Sequence, residues 1–307
     1  MSARAERHDR AREGQTFAGR SRLVHYINLV KLPHTLFALP FALVGVVLAS
    51  RSAPVTVREV VWVVVAFSAA RFAAMGFNRI ADARIDALNP RTRGREIPAG
   101  RLSVAEASVS VVVASALFLL AAWRLNPLCL ALAPFALAWV LGYSYAKRFT
   151  RWSHLVLGAG LGIAPVGGYL AVAGAWSRPW WLLPALAAAV MCWVAGFDVL
   201  YALQDVTFDR AQGLRSVPAA VGERGALLVA RVLHGAAVVL LAATGIGASA
   251  GWLYALGVVV VALLLIYEHR LVSPDDLSRL DAAFFTMNGI ISIAFLAFVL
   301  AGRLVHS

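Results

Sequence analysis

The stretch VREVVWVVVAFSAARFAAMGFNRIADARID, residues 57–86, is apolar over most of its length and then ends on Asn78, Asp82 and Asp86. A helix that crosses a bilayer needs about 20 mostly apolar residues, and this run supplies them. Its acidic end spaces two carboxylates at i and i+4, which puts both on one helical face. Like charges at that spacing repel, and beside lipid they are costly unless cations share the site. The same shape returns far along the chain in GFDVLYALQDVTFD, residues 196–209, with Tyr201, Asp205 and Asp209, and Asp198 a little upstream. Facing carboxylate pairs are a common way to hold Mg²⁺ against phosphate oxygens. The two clusters therefore point to chemistry on a diphosphate inside a membrane.

Composition agrees with a membrane setting. Of 307 residues 61% are hydrophobic and 14% charged, outside the soluble globular range and inside the polytopic membrane class. Nine apolar runs predict nine transmembrane helices and an all-α fold, at about 34–50, 57–77, 104–123, 126–146, 153–175, 180–203, 223–247, 251–267 and 280–302. Residues 1–21 are basic and poor in apolar side chains, which predicts a disordered tail without a cleavable signal. Residues 22–307 read as one membrane domain that opens with an interfacial helix over 22–33. With nine spans, one side receives the N-terminus, the cations from Arg79 to Arg101, Lys147, Arg148, Arg151, Arg210, Arg215, Arg270 and Arg279. The other side keeps little beyond Arg51, Arg124, Arg178 and Arg303. That asymmetry predicts an inner-membrane protein with its N-terminus and both acidic clusters in the cytoplasm. The net charge of +12 is explained by span ends and anionic head groups, so no nucleic-acid partner is expected. Cys129 and Cys192 lie inside predicted spans without metal-ligand or redox spacing and read as small core residues.

A weak internal repeat links the clusters. Each runs from an Asp-x-x-x-Asp helix end into a loop that closes on Arg-x-x-Pro-Ala, at Arg95–Ala99 and again at Arg215–Ala219. Two halves facing one cavity would produce this pattern. A prenyl diphosphate that loses its diphosphate gives an allylic cation, and Mg²⁺ neutralises the leaving group as a Lewis acid. Asn78 offers a neutral carbonyl ligand on the stripe of Asp82. Arg79, Arg95, Lys147, Arg148 and Arg215 are candidates to bind the remaining oxygens. Structural cytoplasmic salt bridges are the plainer alternative for these acids and bases, but two such clusters at span ends weigh against it.

Asp198 lies inside an apolar run, two turns before Asp205 on the same face. It could orient or deprotonate an acceptor or stabilise the developing cation; alternatively it pairs with Arg71, also inside a predicted span. His34 is read as an acceptor contact or an interfacial histidine. Tyr143, Tyr145 and Tyr201 are read as cavity or interfacial tyrosines, and Asn288 as interhelical glue. Gly158, Gly160, Gly162, Gly167 and Gly168, with Pro165, predict close helix approach or a broken helix in the fifth span.

Three segments in order resemble the UbiA superfamily of intramembrane aromatic prenyltransferases. They are Asn78-x-x-x-Asp82-x-x-x-Asp86 followed by Asn89-Pro90-Arg91-Thr92-x-x-Arg95-x-x-Pro98-x-Gly100; Tyr143-Ser144-Tyr145-Ala146-Lys147-Arg148; and Asp198-x-x-Tyr201-Ala202-x-x-Asp205-x-x-x-Asp209. The likeness spans about 22–303. It implies nine helices around a central cavity with a cytoplasmic cap, and Mg²⁺-dependent transfer from a polyprenyl diphosphate to an aromatic acceptor. Position by position, it implies that Asn78, Asp82, Asp86, Asp205 and Asp209 hold diphosphate through Mg²⁺ and that Arg79, Arg95 and Lys147 touch it directly. Asp198 matches the family's acceptor-side aspartate. The chain departs from hydroxybenzoate prenyltransferases where Arg79 follows Asn78, and where the first helix reads Val30-Lys31-Leu32-Pro33-His34. Those segments look more like the branch linked to menaquinone synthesis by the futalosine route. Both acceptors are aromatic carboxylates, for which Lys31, Arg71 and His34 are candidate partners. Haem-farnesyl, chlorophyll and tocopherol branches remain alternatives within the family. An ion-coupled transporter would place its acids near the midplane rather than at one face. A binding scaffold without turnover would have lost a motif residue, and none is missing.

Overall fold

The structure, a computed structural model, describes residues 21–30, 33–272, 280 and 286–305, with side chains in the second helix from Ala38 onward. Residues 1–20 of the predicted tail over 1–21, and Lys31 with the side chain of His34, lie outside the described residues, while Ser21 caps the first helix by accepting from the Val24 amide. The helices in order are α1 (Arg22–Leu29), α2 (Pro33–Ala49), α3 (Val57–Ala81), α4 (Ala83–Leu88), α5 (Val104–Leu125) and α6 (Pro127–Gly142). They continue with α7 (Ala146–Phe149), α8 (Ser153–Ala173), α9 (Leu182–Tyr201), α10 (Val206–Ala211), α11 (Val217–Gly247, broken after its first turns by Gly222 at φ +75° and ψ 175°), α12 (Trp252–Leu271) and α13 (Asn288–Val305). Among the described residues eight helical spans are long and apolar enough to cross a membrane, and the apolar part of α2, Ala38–Ala49, is a shorter ninth. The fold is all-helical and multi-pass, as the apolar runs predict.

Local chemistry sets the helix starts. Thr56 accepts from the Glu59 amide while the Glu59 carboxylate accepts from the Thr56 amide, a capping box repeated by Ser103 and Glu106 at α5. Asn126 caps α6, with Pro127 in its first turn, where a missing N–H costs nothing. Gly174 ends α8 at φ +62°, a backbone that favours glycine.

The helices form two rings that share α2 and α8. One ring adds α3, α5 and α6; the other adds α9, α11, α12 and α13. The second ring is solid: Phe41, Trp193, Phe197, Tyr254 and Phe295 interlock at its centre, with ring centroids of Phe41 and Trp193 4.7 Å apart. The first ring is hollow, with a chamber of about 200 Å³ lined by small and apolar side chains including Ala66, Ala70, Ala74, Phe118 and Ala133.

Helix α8 stays continuous through Pro165, so of the two readings of its glycines the structure bears out close approach. A Cβ on Gly158 would sit 2.3 Å from the Met191 carbonyl oxygen, and one on Gly162 2.5 Å from that of Ala187. No side chain fits there, so α8 and α9 touch backbone to backbone. This contact fixes their antiparallel register and sets the start of α8 against the end of α9, where the polar residues gather.

Candidate active site

Each acidic motif straddles a break between a long helix and a short one. Helix α3 ends at Ala81, α4 begins at Ala83, and Asp82 between them has φ −97° and ψ 2°. In the second motif α9 passes through a 3₁₀ turn, Ala202–Asp205, into α10, and Asp205 has φ −104° and ψ 3°. Both aspartates occupy the sparsely populated bridge region, where many active-site residues sit. Asp86 and Asp209 follow four residues later, on α4 and α10. The backbone thus repeats the pattern that the two sequence motifs share.

The two junctions face one polar cavity of about 280 Å³. Asn78, Arg79, Asp82, Asp86 and Arg95 line it from one side, and Asp198, Tyr201, Asp205 and Asp209 from the other. Lys147 reaches in from the 3₁₀ turn and short helix that follow α6. Arg71, Met75, Tyr143, Leu157 and Leu161 belong both to this cavity and to the apolar chamber of the first ring. The polar cavity therefore leads directly into the hollow half of the bundle.

Asp82, Asp86 and Asp205 are each met by a cation. Lys147 Nζ lies 2.8 Å from Asp82 Oδ2, and Arg148 lies 3.3 Å from Oδ1. Asn78 Nδ2 donates to the same Asp82 Oδ2 at 3.2 Å. One nitrogen of Arg95 donates to both oxygens of Asp86, at 2.7 and 2.8 Å. Arg91 Nε donates to Asp205 at 3.0 Å, Asn89 Nδ2 joins at 3.1 Å, and the Arg91 guanidinium lies 5.4 Å from the centroid of the Tyr201 ring. Asp82 and Asp86 are nearly closed to solvent, at 2% and 4% exposure, and charges buried to that degree persist only when paired.

Several candidates stand elsewhere than the spacing suggested. Arg79 lines the cavity and also donates through Nε to the Leu29 carbonyl, tying α3 to α1. Arg148 approaches Asp82 with its other bond on the Ala81 carbonyl, at 2.6 Å, and does not line the cavity wall. Arg215 also lies off the wall: its side chain donates to the Phe149 carbonyl at 2.7 Å, and its own amide donates to the Lys147 carbonyl at 2.8 Å. Asp198 pairs with His154 at 2.7 Å, where Arg71 was the sequence-level alternative. Arg91, Asn89 and His154 are contributions that sequence reasoning missed. The first two sit in the quoted Asn-Pro-Arg-Thr segment, but their partner is 114 to 116 residues away. His154 carries no motif signal beyond being a histidine near a span start.

The donor set suits a hard divalent cation. The oxygens are carboxylate and amide, and among the described residues no three acidic, histidine or cysteine side chains converge on one point. Mg²⁺ usually takes one or two carboxylates with substrate phosphates and waters rather than a protein cage, so the residues present fit it.

Similar proteins agree with this architecture. The family model described as UbiA prenyltransferase family matches residues 38–298. The 4-hydroxybenzoate octaprenyltransferase of Yersinia enterocolitica is 30% identical over 251 residues, covering 81% of this chain and 85% of that protein. Among solved structures, the apo UbiA homologue from Aeropyrum pernix K1 superposes with a TM-score of 0.76 at 34% identity, over 89% of this chain and 98% of that one. A UbiA homologue from Archaeoglobus fulgidus bound to DMAPP and Mg²⁺ has the same fold, with a TM-score of 0.68 at 22% identity over 91% and 99% of the two chains. With that match along most of its length, and with two aspartate junctions closing on one cavity, the chain belongs to the UbiA prenyltransferase family and is a membrane-embedded prenyltransferase.

Proposed function

We propose that this prenyltransferase moves a polyprenyl group from polyprenyl diphosphate to an aromatic carboxylate, of the 4-hydroxybenzoate or 1,4-dihydroxy-6-naphthoate type, in ubiquinone or menaquinone synthesis. The observation that carries the reading is the junction of two unlike spaces. A cavity of paired acids and bases opens past Arg71 and Tyr143 into an apolar chamber. A diphosphate fits the first and an isoprenoid tail the second. The Yersinia relative's aromatic acceptor and the diphosphate and Mg²⁺ bound to the Archaeoglobus homologue support the same assignment.

In this reading Asn78, Asp82, Asp86, Asp205 and Asp209 would hold Mg²⁺, which when bound would neutralise negative charge on the leaving diphosphate. Lys147, Arg95, Arg91 and Arg79 take the remaining oxygens; an arginine fork matches phosphate geometry. The C–O bond of the donor breaks with its electron pair on diphosphate, the acceptor ring forms the C–C bond, and the ring loses one proton. Asp198 stands on the acceptor side to orient the ring or receive that proton. Arg71, at the boundary of the two spaces, pairs the acceptor carboxylate, and Tyr201 steadies Arg91. The apolar chamber excludes water from the allylic cation. Lys31 and His34 are kept as further acceptor contacts. The cationic loops support the further reading that this end of the bundle faces the cytoplasm, with the protein in the inner membrane.

The test is a product assay. Purified protein with Mg²⁺ and a long-chain prenyl diphosphate is given each acceptor separately, and product masses are read. Prenylated naphthoate alone assigns the futalosine branch, and prenylated hydroxybenzoate the ubiquinone branch. Absence of product with both acceptors overturns the acceptor class.

A further inference from the structure

The pair His154–Asp198 is not explained by diphosphate binding. His154 lies in the first turn of α8 and is 5% exposed, while Asp198 opens partly into the cavity. The imidazole bridges three helices. Its Nδ1 is 2.7 Å from Asp198 Oδ2 on α9, and its Nε2 accepts from the Val217 amide, the first of α11, at 3.4 Å. A neutral imidazole has one donor and one acceptor nitrogen. Because the Val217 N–H can only donate, Nε2 is the acceptor, and the ring proton sits on Nδ1 and is directed at the carboxylate. The backbone contacts of Gly158 and Gly162 with α9 hold the ring at this distance.

We propose that His154 is a positioning residue for the acceptor. By donating from Nδ1 it holds Asp198 Oδ2 in one orientation and leaves Oδ1 to meet the acceptor in the cavity. The proposal rests on the functional reading above, in which Asp198 is the acceptor-side carboxylate. Val217 is the first residue of α11, and one unsatisfied amide of that helix end is met by the same ring. Capping α11 is therefore the rival, purely structural role.

The experiment compares wild type, His154→Ala, His154→Gln, Asp198→Asn and the double variant His154→Ala/Asp198→Asn in lipid nanodiscs. It measures kcat and KM for the acceptor, the Kd of prenyl diphosphate with Mg²⁺, and the histidine side-chain ¹⁵N resonances. Removing a group that orients a functional side chain typically costs about 10–100-fold, so His154→Ala is expected to lose that much kcat/KM for the acceptor. Prenyl diphosphate affinity should stay within about twofold of wild type, since the diphosphate ligands are untouched. Glutamine can donate to Asp198 and accept from Val217, so His154→Gln recovers a large part of the loss. The double variant is no slower than Asp198→Asn alone. Equal loss of diphosphate affinity, unchanged acceptor kinetics or additive effects would overturn the proposal in favour of capping. The ¹⁵N difference between wild type and His154→Gln should report an Nδ1–H tautomer that moves in Asp198→Asn; an Nε2–H tautomer overturns it. If wild type prenylates neither aromatic carboxylate, the functional reading falls, while the resonances still decide the dyad.

Discussion

Asp82 and Asp205 occupy the same backbone position in the two motifs, yet their neighbours come from different places. Asp82 is held by Lys147 and Arg148, from the segment after α6. Asp205 is held by Asn89 and Arg91, which belong to the loop of the first motif. The loop of the second motif returns nothing equivalent. Arg95 and Arg215 are counterparts in the repeat, but Arg95 clasps Asp86 whereas Arg215 supports the carbonyls of Lys147 and Phe149. The repeat is present in the backbone, where helix breaks are set by local chain geometry, and is absent from the side-chain pairing. One half supplies cations to the cavity; the other supplies the scaffold that carries Lys147.

The strongest test of this asymmetry removes the two junction aspartates. Asp82→Ala and Asp205→Ala are each expected to lower kcat by about 10²–10³-fold or more, the scale for losing one group that stabilises charge in a dry site. An assay in which either variant keeps near wild-type turnover would show that the two junctions do not act together. The counterpart arginines come next. Arg95→Ala should weaken prenyl diphosphate binding by about tenfold or more, as charge-assisted bonds contribute roughly 1.5–3 kcal/mol each. Arg215→Ala should leave that affinity within about twofold, its bonds being to backbone carbonyls, and act on thermal stability instead. Equal losses of affinity in the two would put Arg215 in the diphosphate site.

A smaller effect separates metal from diphosphate. Asp82, Asp86 and Asp205 already neutralise cations. Mg²⁺ alone must displace those cations, whereas pyrophosphate gives them a new partner. Calorimetry should therefore find Mg²⁺ binding tightened by about tenfold, or 1.4 kcal/mol, when pyrophosphate is present, with the reciprocal effect on pyrophosphate. Independent binding would break the picture of exchanged partners. The smallest expected change is at Ser216, which caps α11 by accepting from the Ala219 amide. Ser216→Ala should cost about 1 kcal/mol of stability. A larger loss of turnover than of stability would show that the second loop does more than hold its helix.

Much of the molecule was legible in the sequence because the signals are local. An apolar run of spanning length predicts a helix whatever it packs against, and the runs match the observed helices with most edges shifted by a few residues, while the last run, 280–302, meets a helix described from Asn288. The Asp-x-x-x-Asp spacing marked where to look for the cavity. What stayed hidden depends on pairs far apart in the chain. Arg91 was quoted in its motif but given no role, because nothing local announces that it reaches Asp205. Arg215 looked like a diphosphate ligand because its sequence context copies that of Arg95.

The sequence by itself determined the membrane setting, the helices and the two acidic helix ends, since bilayer thickness and helical periodicity act on contiguous residues. Only the tertiary structure decided which cation meets which carboxylate, that Asp198 turns to His154 rather than Arg71, and that the first ring is hollow while the second is solid. Those outcomes follow from close helix contacts such as Gly158 against Met191, which fix register between segments that the chain itself keeps far apart.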